Sequence, residues 1–392
     1  MDRVMNTTAH RIAIPDITSA SGPYVVDASG KKYVDLESGT WCTVLGHSHP
    51  AVSRVIADRS AGFMHAGFNY SATIVQEVAD KVLSLTGEPD GGCVFLCSGS
   101  EAIEISRQIA RYLSGNEVSM TLHDSYLGAY SSVSDRRRGW FQFDWTRCAD
   151  CRRAACDHDC PLLREIPDEL SDFVFEPGSS SGFVRFPPVA LIKRLVEIVH
   201  EAGGYVIANE VTTGTGRTGR WFGYEHYGVR PDMVAIGKGI GNGYPVSVAA
   251  LSEAVADRLA SGGFKYAQSH QNDPLGAAVV GTVIDTITSD QLIERGARLG
   301  EGLLARIETL VDGEIVTGVR GRGMMLCVDI CDSATSAALH SELIGRGYLV
   351  GNRGSAFRID PPLTIDESLL DEFVGAFDAA IDSVRASRNA TG

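Results

Sequence analysis

The chain has 392 residues, of which 44% are hydrophobic and 21% charged, and a formal net charge of −14. That length can bury a large core in two domains, and the acidic balance argues against nucleic acid or an anionic membrane as the main partner. No apolar run reaches the length of a transmembrane helix, and Met1–Ile12 lacks the apolar stretch of a signal peptide, so the expected residence is cytoplasmic.

In chain order, residues 22–45 alternate as short strands, Tyr24–Asp27 and Tyr33–Leu36, separated by a turn at Gly30. Gly46-His47-Ser48-His49-Pro50 leads into a helix. From about 50 to 275, apolar strand candidates alternate with helical stretches. Val94–Leu96 runs through a Gly-Ser turn into a helix over 102–113, and Phe173–Phe175, Gly204–Ile207 and Met233–Ile236 are further strands. Such alternation predicts an α/β architecture with a mainly parallel sheet covered by helices. A long helix from about 276 leads into a C-terminal region with strand-like segments at 319–329 and 357–363.

Four of the nine cysteines, Cys148, Cys151, Cys156 and Cys160, form a C-x2-C-x4-C-x3-C pattern. Four closely spaced thiols in a reducing compartment point to a structural Zn²⁺, with His158 able to replace one thiol, or to an iron–sulfur cluster. The alternative is a loop of unligated cysteines. A closed four-thiolate site has no open coordination position, so it would fold the segment 145–163 rather than catalyse.

Lys238 ends the apolar run Met233–Ile236 and is followed by Gly239-Ile240-Gly241-Asn242-Gly243. Burying a lysine is costly unless it is paired or chemically used, and burial favours the neutral amine that attacks a carbonyl. A surface lysine in a loop is the other reading of this segment alone. Upstream stand Asn209-Glu210-Val211-Thr212-Thr213-Gly214, Gly216-Arg217-Thr218-Gly219, Phe222-Gly223-Tyr224-Glu225-His226-Tyr227-Gly228 and Pro231-Asp232.

This series, in this order and ending on Lys238, resembles the class III (ω-type) aminotransferases, fold-type I enzymes that use pyridoxal 5′-phosphate (PLP). The resemblance runs from about residue 23 to about 370. It implies a large domain over 51–275 with a mainly parallel, seven-stranded-type sheet, and a smaller α+β domain built from 1–50 and 276–392. It implies PLP held as a Schiff base on Lys238, and a homodimer acting on a small-molecule amine donor and carbonyl acceptor. A natural-product intermediate or a modified peptide end is compatible with the same pocket residues.

By the same resemblance, Gly99 and Ser100 in Cys97-Ser98-Gly99-Ser100-Glu101-Ala102 bind the cofactor phosphate at a helix start; plain helix capping by Ser98 or Ser100 is the alternative. Ser269 matches the residue that reaches the neighbouring subunit's phosphate. Val211 packs on one face of the ring. In Leu122-His123, leucine replaces the family's aromatic residue on the other face. Thr212 replaces a glutamine beside the ring hydroxyl. Asn209 replaces the aspartate that holds the ring nitrogen protonated, and a neutral amide lacks that charge. The chain then transaminates with less stabilisation of the carbanion, performs another PLP reaction such as isomerisation or decarboxylation, or is a PLP-binding scaffold. On the substrate side, Ser181 replaces a glutamate that gates an arginine matching Arg358. With no gate partner, Arg358 is open to a substrate carboxylate, swings out for a plain amine, or forms a surface ion pair. Trp41 either lines the pocket with Cys42 or packs in the core.

Overall fold

The computed structural model describes residues 3–8, 12–148, 151, 156, 159–178 and 180–391. At its centre is a seven-stranded sheet made of β1 (Gly92–Leu96), β2 (Ser119–Leu122), β3 (Trp140–Phe143), β4 (Asp172–Phe175), β5 (Tyr205–Asn209), β6 (Met233–Ile236) and β7 (Ser247–Leu251). Their spatial order is β1-β7-β6-β5-β4-β2-β3. The pairs β2–β3, β2–β4, β4–β5 and β5–β6 are parallel. Every residue of β2, β4, β5, β6 and β7 is buried, because helices cover both faces.

β7 runs antiparallel to both β1 and β6. A parallel return needs a crossover of a dozen or more residues. Here the connection is a tight turn at Lys238–Gly241, reversed by Asn242 and Gly243 at φ of 42° and 93°. The Asn242 side chain ties this turn to the N-terminal segment, accepting from Leu45 N–H at 2.8 Å and donating to Gly46 O at 3.0 Å.

Two four-stranded sheets flank the large one. The first pairs Ile17–Ser21, Tyr24–Asp27 and Lys32–Asp35 with Tyr348–Leu349, so the two chain ends meet in one sheet. The second is antiparallel and contains Val316–Arg322, Met325–Ile330, Ala356–Ile359 and Gly351–Arg353. The helix after β1 is α1 (Gly99–Ser114), opened by a reciprocal cap in which Glu101 N–H donates to Ser98 Oγ and Ser98 N–H donates to the Glu101 carboxylate. Where a single long helix was expected from about 276, there are two: α2 (Pro274–Ser289) and α3 (Leu292–Glu308). Gln291, at φ 52°, breaks them apart and lets α3 pack on the Val316–Arg322 strand.

Gly300 of α3 faces the turn of the Val316–Ile330 hairpin, where an added Cβ would fall on the backbone carbonyl of Gly323. Backbone cannot yield as a flexible side chain can. Gly300→Ala is expected to destabilise the fold by about 1–3 kcal/mol, read as a lowered urea midpoint at unchanged slope.

Candidate active site

Lys238 stands where β6 ends, in the left-handed region at φ 48°. Gly237 before it lies against Gly99, whose Cα would be 3.2 Å from an added Cβ. The Lys238 side chain keeps some solvent contact but is surrounded by protein. Its Nζ donates to Thr212 Oγ1 at 2.9 Å and lies 4.8 Å from the centre of the Trp41 ring. Burial pulls the Lys238 pKa down and Arg358 adds to this, while Cys42, Glu176 and Asp360 oppose it. The surface reading of this lysine does not hold.

Trp41 closes a turn in which Ser38, Gly39, Thr40 and Trp41 all have positive φ: 48°, 55°, 59° and 68°. For non-glycine residues this conformation costs about 1–2 kcal/mol each, so it must be imposed from outside. Asp35 does much of this, accepting from Glu37 N–H at 2.8 Å and from Gly39 N–H at 2.9 Å, while its Oδ2 also meets His47 Nε2 at 2.7 Å. Ser38 Oγ donates to Asp360 O at 2.6 Å. The turn delivers a buried indole to the pocket, and the guanidinium of Arg358 lies 4.2 Å from the ring centre.

Arg358 has a carboxylate partner, whereas Ser181 led to the expectation of none. Its Nη2 meets Glu37 Oε1 at 2.6 Å, with the Arg358 side chain 10% and the Glu37 side chain 29% exposed. The carboxylate comes from the N-terminal segment instead of the 176–182 loop, so a comparison by position along that loop could not find it. Ser181, at φ 54°, directs its N–H to Glu176 Oε2 at 3.5 Å. Gly182 lies against Arg358 and Trp41, at 3.0 Å and 3.5 Å from its built Cβ, which places this loop on the wall of the same pocket.

Asn209 ends β5 and is buried. Its Nδ2 donates to Tyr126 O at 3.0 Å, and its Oδ1 accepts from Val211 N–H at 3.3 Å. Val211 packs so closely over Gly99 that a Cβ there would meet it at 2.5 Å. Leu122 is buried at the end of β2. His123 is exposed beside it, its Nδ1 3.5 Å from Asp144 Oδ1. Ser100 Oγ accepts from Ala129 N–H at 3.0 Å near the start of α1. Glu176 is buried, and burial pushes its pKa up to about 7, against hydrogen bonds from Tyr126 and Ser181 N–H and the charge of Lys238. Thus Lys238, Thr212, Asn209, Val211, Gly99, Trp41, Ser181 and Arg358 converge, whereas Ser269 lies on an exposed turn before α2. Glu37, Glu176 and Asp360 are pocket groups that reading the sequence alone did not single out, whereas Cys42 was expected beside Trp41.

Of the cysteine segment, residues 149, 150, 152–155, 157 and His158 lie outside the described residues. Cys151 N–H donates to Cys148 O at 3.0 Å, and Leu163 N–H to Cys160 O at 3.1 Å. Burial pushes the Cys148 thiol up to about 11, with Cys156, Cys160 and Cys151 adding to it. Among the described residues, three ligand-type atoms approach within 4.8 Å of one another at His65, His270 and Asp273. There both imidazoles meet the Asp273 carboxylate through Nδ1 at 2.6 Å, a hydrogen-bond separation.

The family model for class III aminotransferases matches residues 4–130 and 146–381. Acetylornithine aminotransferase from Methanopyrus kandleri is 30% identical over 383 residues, covering 95% of this chain and 94% of that protein. The mitochondrial human alanine–glyoxylate aminotransferase 2 is 28% identical, covering 91% of this chain and 80% of that protein. Among solved structures, a PLP-bound amine transaminase from an uncultivated Pseudomonas species superposes with a TM-score of 0.88 at 23% identity, covering 98% of this chain and 99% of that one. The chain belongs to the class III aminotransferase family and is a PLP-dependent aminotransferase with the fold-type I architecture.

The Glu37–Arg358 pair has a kinetic consequence. In Glu37→Gln the guanidinium loses its internal counter-ion, so KM for a carboxylate-bearing acceptor is expected to fall about tenfold, the equivalent of about 1.4 kcal/mol, with kcat within about twofold. Steady-state kinetics with a 2-oxo acid checks this; an unchanged or higher KM overturns it.

Proposed function

We propose that the residues converging on Lys238 hold PLP and move an amino group from an ω-amine or amino-acid donor to a carboxylate-bearing carbonyl acceptor. The supporting observation is an enclosed amine at a left-handed turn, beside an arginine already paired with an internal carboxylate. The groups present suit the cofactor. The helix start at Gly99 and Ser100 would offer N–H groups to its phosphate, Val211 and Leu122 would flank its ring with His123 beside it, and Asn209 would face the ring nitrogen. PLP, when bound, supplies the carbonyl carbon that takes up the amino group and a ring that drains charge from the substrate α-carbon.

Lys238 Nζ would hold the cofactor at that carbon and, when free, would take the proton from the donor's α-carbon. Its pKa, lowered by burial, keeps the amine neutral more of the time, and Thr212 Oγ1 fixes its direction. Trp41 and Ser181 bound the substrate space. While Arg358 stays on Glu37, a donor end without a carboxylate fits; a 2-oxo acid competes with Glu37 for the guanidinium.

Ser269 is assigned to the partner subunit's phosphate, which requires a homodimer. The large unit is placed at 51–275 and the small one at 1–50 with 276–392, in the cytoplasm. The cysteines at 148, 151, 156 and 160 are assigned to a structural Zn²⁺, or an iron–sulfur cluster, that draws the thiols together. Native mass spectrometry is expected to give two chains per assembly and one Zn²⁺ per chain, the metal disappearing in Cys148→Ser/Cys151→Ser. A metal-free native protein sinks the metal assignment, and a monomer sinks the shared site.

For the reaction itself, borohydride reduction of the PLP-loaded protein should add the cofactor mass to the Lys238 peptide. Lys238→Ala should lose that adduct and at least about 10²–10⁴ in rate. An adduct elsewhere, or activity retained in the variant, overturns the assignment.

A further inference from the structure

The Asn209 side chain has no freedom to choose which end it turns to which neighbour. Nδ2 donates to the backbone carbonyl of Tyr126 at 3.0 Å, and Oδ1 accepts the backbone N–H of Val211 at 3.3 Å. A carbonyl only accepts and an amide N–H only donates, so these two partners fix the orientation of the amide. Nδ2 carries two hydrogens, and Tyr126 takes one.

The Tyr126 peptide is itself held. Its N–H donates to Glu176 Oε2 at 3.1 Å, an oxygen that the N–H of Ser181 also approaches at 3.5 Å. Glu176 is therefore turned to the backbone at this oxygen. A carboxylate at position 209 would bring an oxygen to the Tyr126 carbonyl at the 3.0 Å now spanned by a hydrogen bond, acceptor against acceptor. The surrounding backbone is thus arranged for an amide.

We propose that Asn209 gives its second N–H to the pyridine nitrogen of PLP and holds the cofactor with that nitrogen unprotonated. This rests on the reading that PLP sits on Lys238 with its ring nitrogen toward β5. A neutral donor engages the lone pair of the nitrogen and offers no charge to retain a proton there. The ring then draws less negative charge from the substrate α-carbon.

The test is ¹⁵N NMR of the full-length protein loaded with PLP labelled at the ring nitrogen, at neutral pH. The labelled Schiff base of a simple amine, free in acid and in alkaline solution, marks the pyridinium and pyridine ends of the scale. The expected result is a bound signal at the pyridine end, displaced towards the pyridinium end in Asn209→Asp. A native signal at the pyridinium end overturns the proposal; so does an Asn209→Asp signal identical to the native one, which would remove Asn209 as the controlling group. The mass of the borohydride-reduced Lys238 peptide separates the two readings: without that adduct the placement of PLP has failed, and with it the NMR result bears on Asn209.

Discussion

Two cations share one aromatic ring. Lys238 Nζ and the Arg358 guanidinium lie 4.8 Å and 4.2 Å from the centre of the Trp41 indole, and the arginine adds to the lowering of the lysine pKa by burial. Such an arrangement survives in a partly dry pocket only if negative groups surround it. Glu37 pairs directly with the arginine, Asp360 lies buried beside it with its pKa pushed up to about 7 by burial, and Glu176 faces the lysine. The balance is unequal. Glu37 gives the arginine a carboxylate partner at 2.6 Å, whereas Lys238 Nζ donates to the Thr212 hydroxyl and burial pulls its pKa down. One pocket therefore holds a carboxylate-paired guanidinium beside an amine whose pKa burial lowers.

That division follows from the fold. β5 and β6 bring Asn209 and Lys238 to the same edge of the sheet, and the turn after Lys238 reverses the chain into β7. The Arg358 strand belongs to a different sheet, and Glu37 follows a strand of a third. Arg358 and Lys238 thus come from separate layers that approach each other at the Trp41 ring.

Much of this was legible in the chain. The fully buried strands read as continuous apolar runs because both of their faces are covered, and Lys238 was recognisable from the spacing of its neighbouring motifs. The reversal of β7 was not legible: Ser247–Leu251 is a short run of small and apolar residues, and its direction is set by the backbone angles of Asn242 and Gly243. Glu37 escaped notice because its partner lies 321 positions away, a relation that periodicity cannot carry. The split between α2 and α3 depends on one left-handed residue of a type that does not announce it. For the cysteines the spacing was plain, but spacing does not state how far apart the sulfurs stand.

The left-handed turn at 38–41 bears on how this pocket can diversify. Three of its four residues are not glycine, so the indole is held in place by backbone that the rest of the molecule must force. Exchanging the segment for one of similar length would release that tension and let the ring wander, disturbing both cations together. Glu37, one residue earlier, sits on ordinary backbone at φ −109°. New substrate preferences are more readily acquired there, by changing what neutralises the arginine, while the strained turn acts as a brake on drift in the pocket.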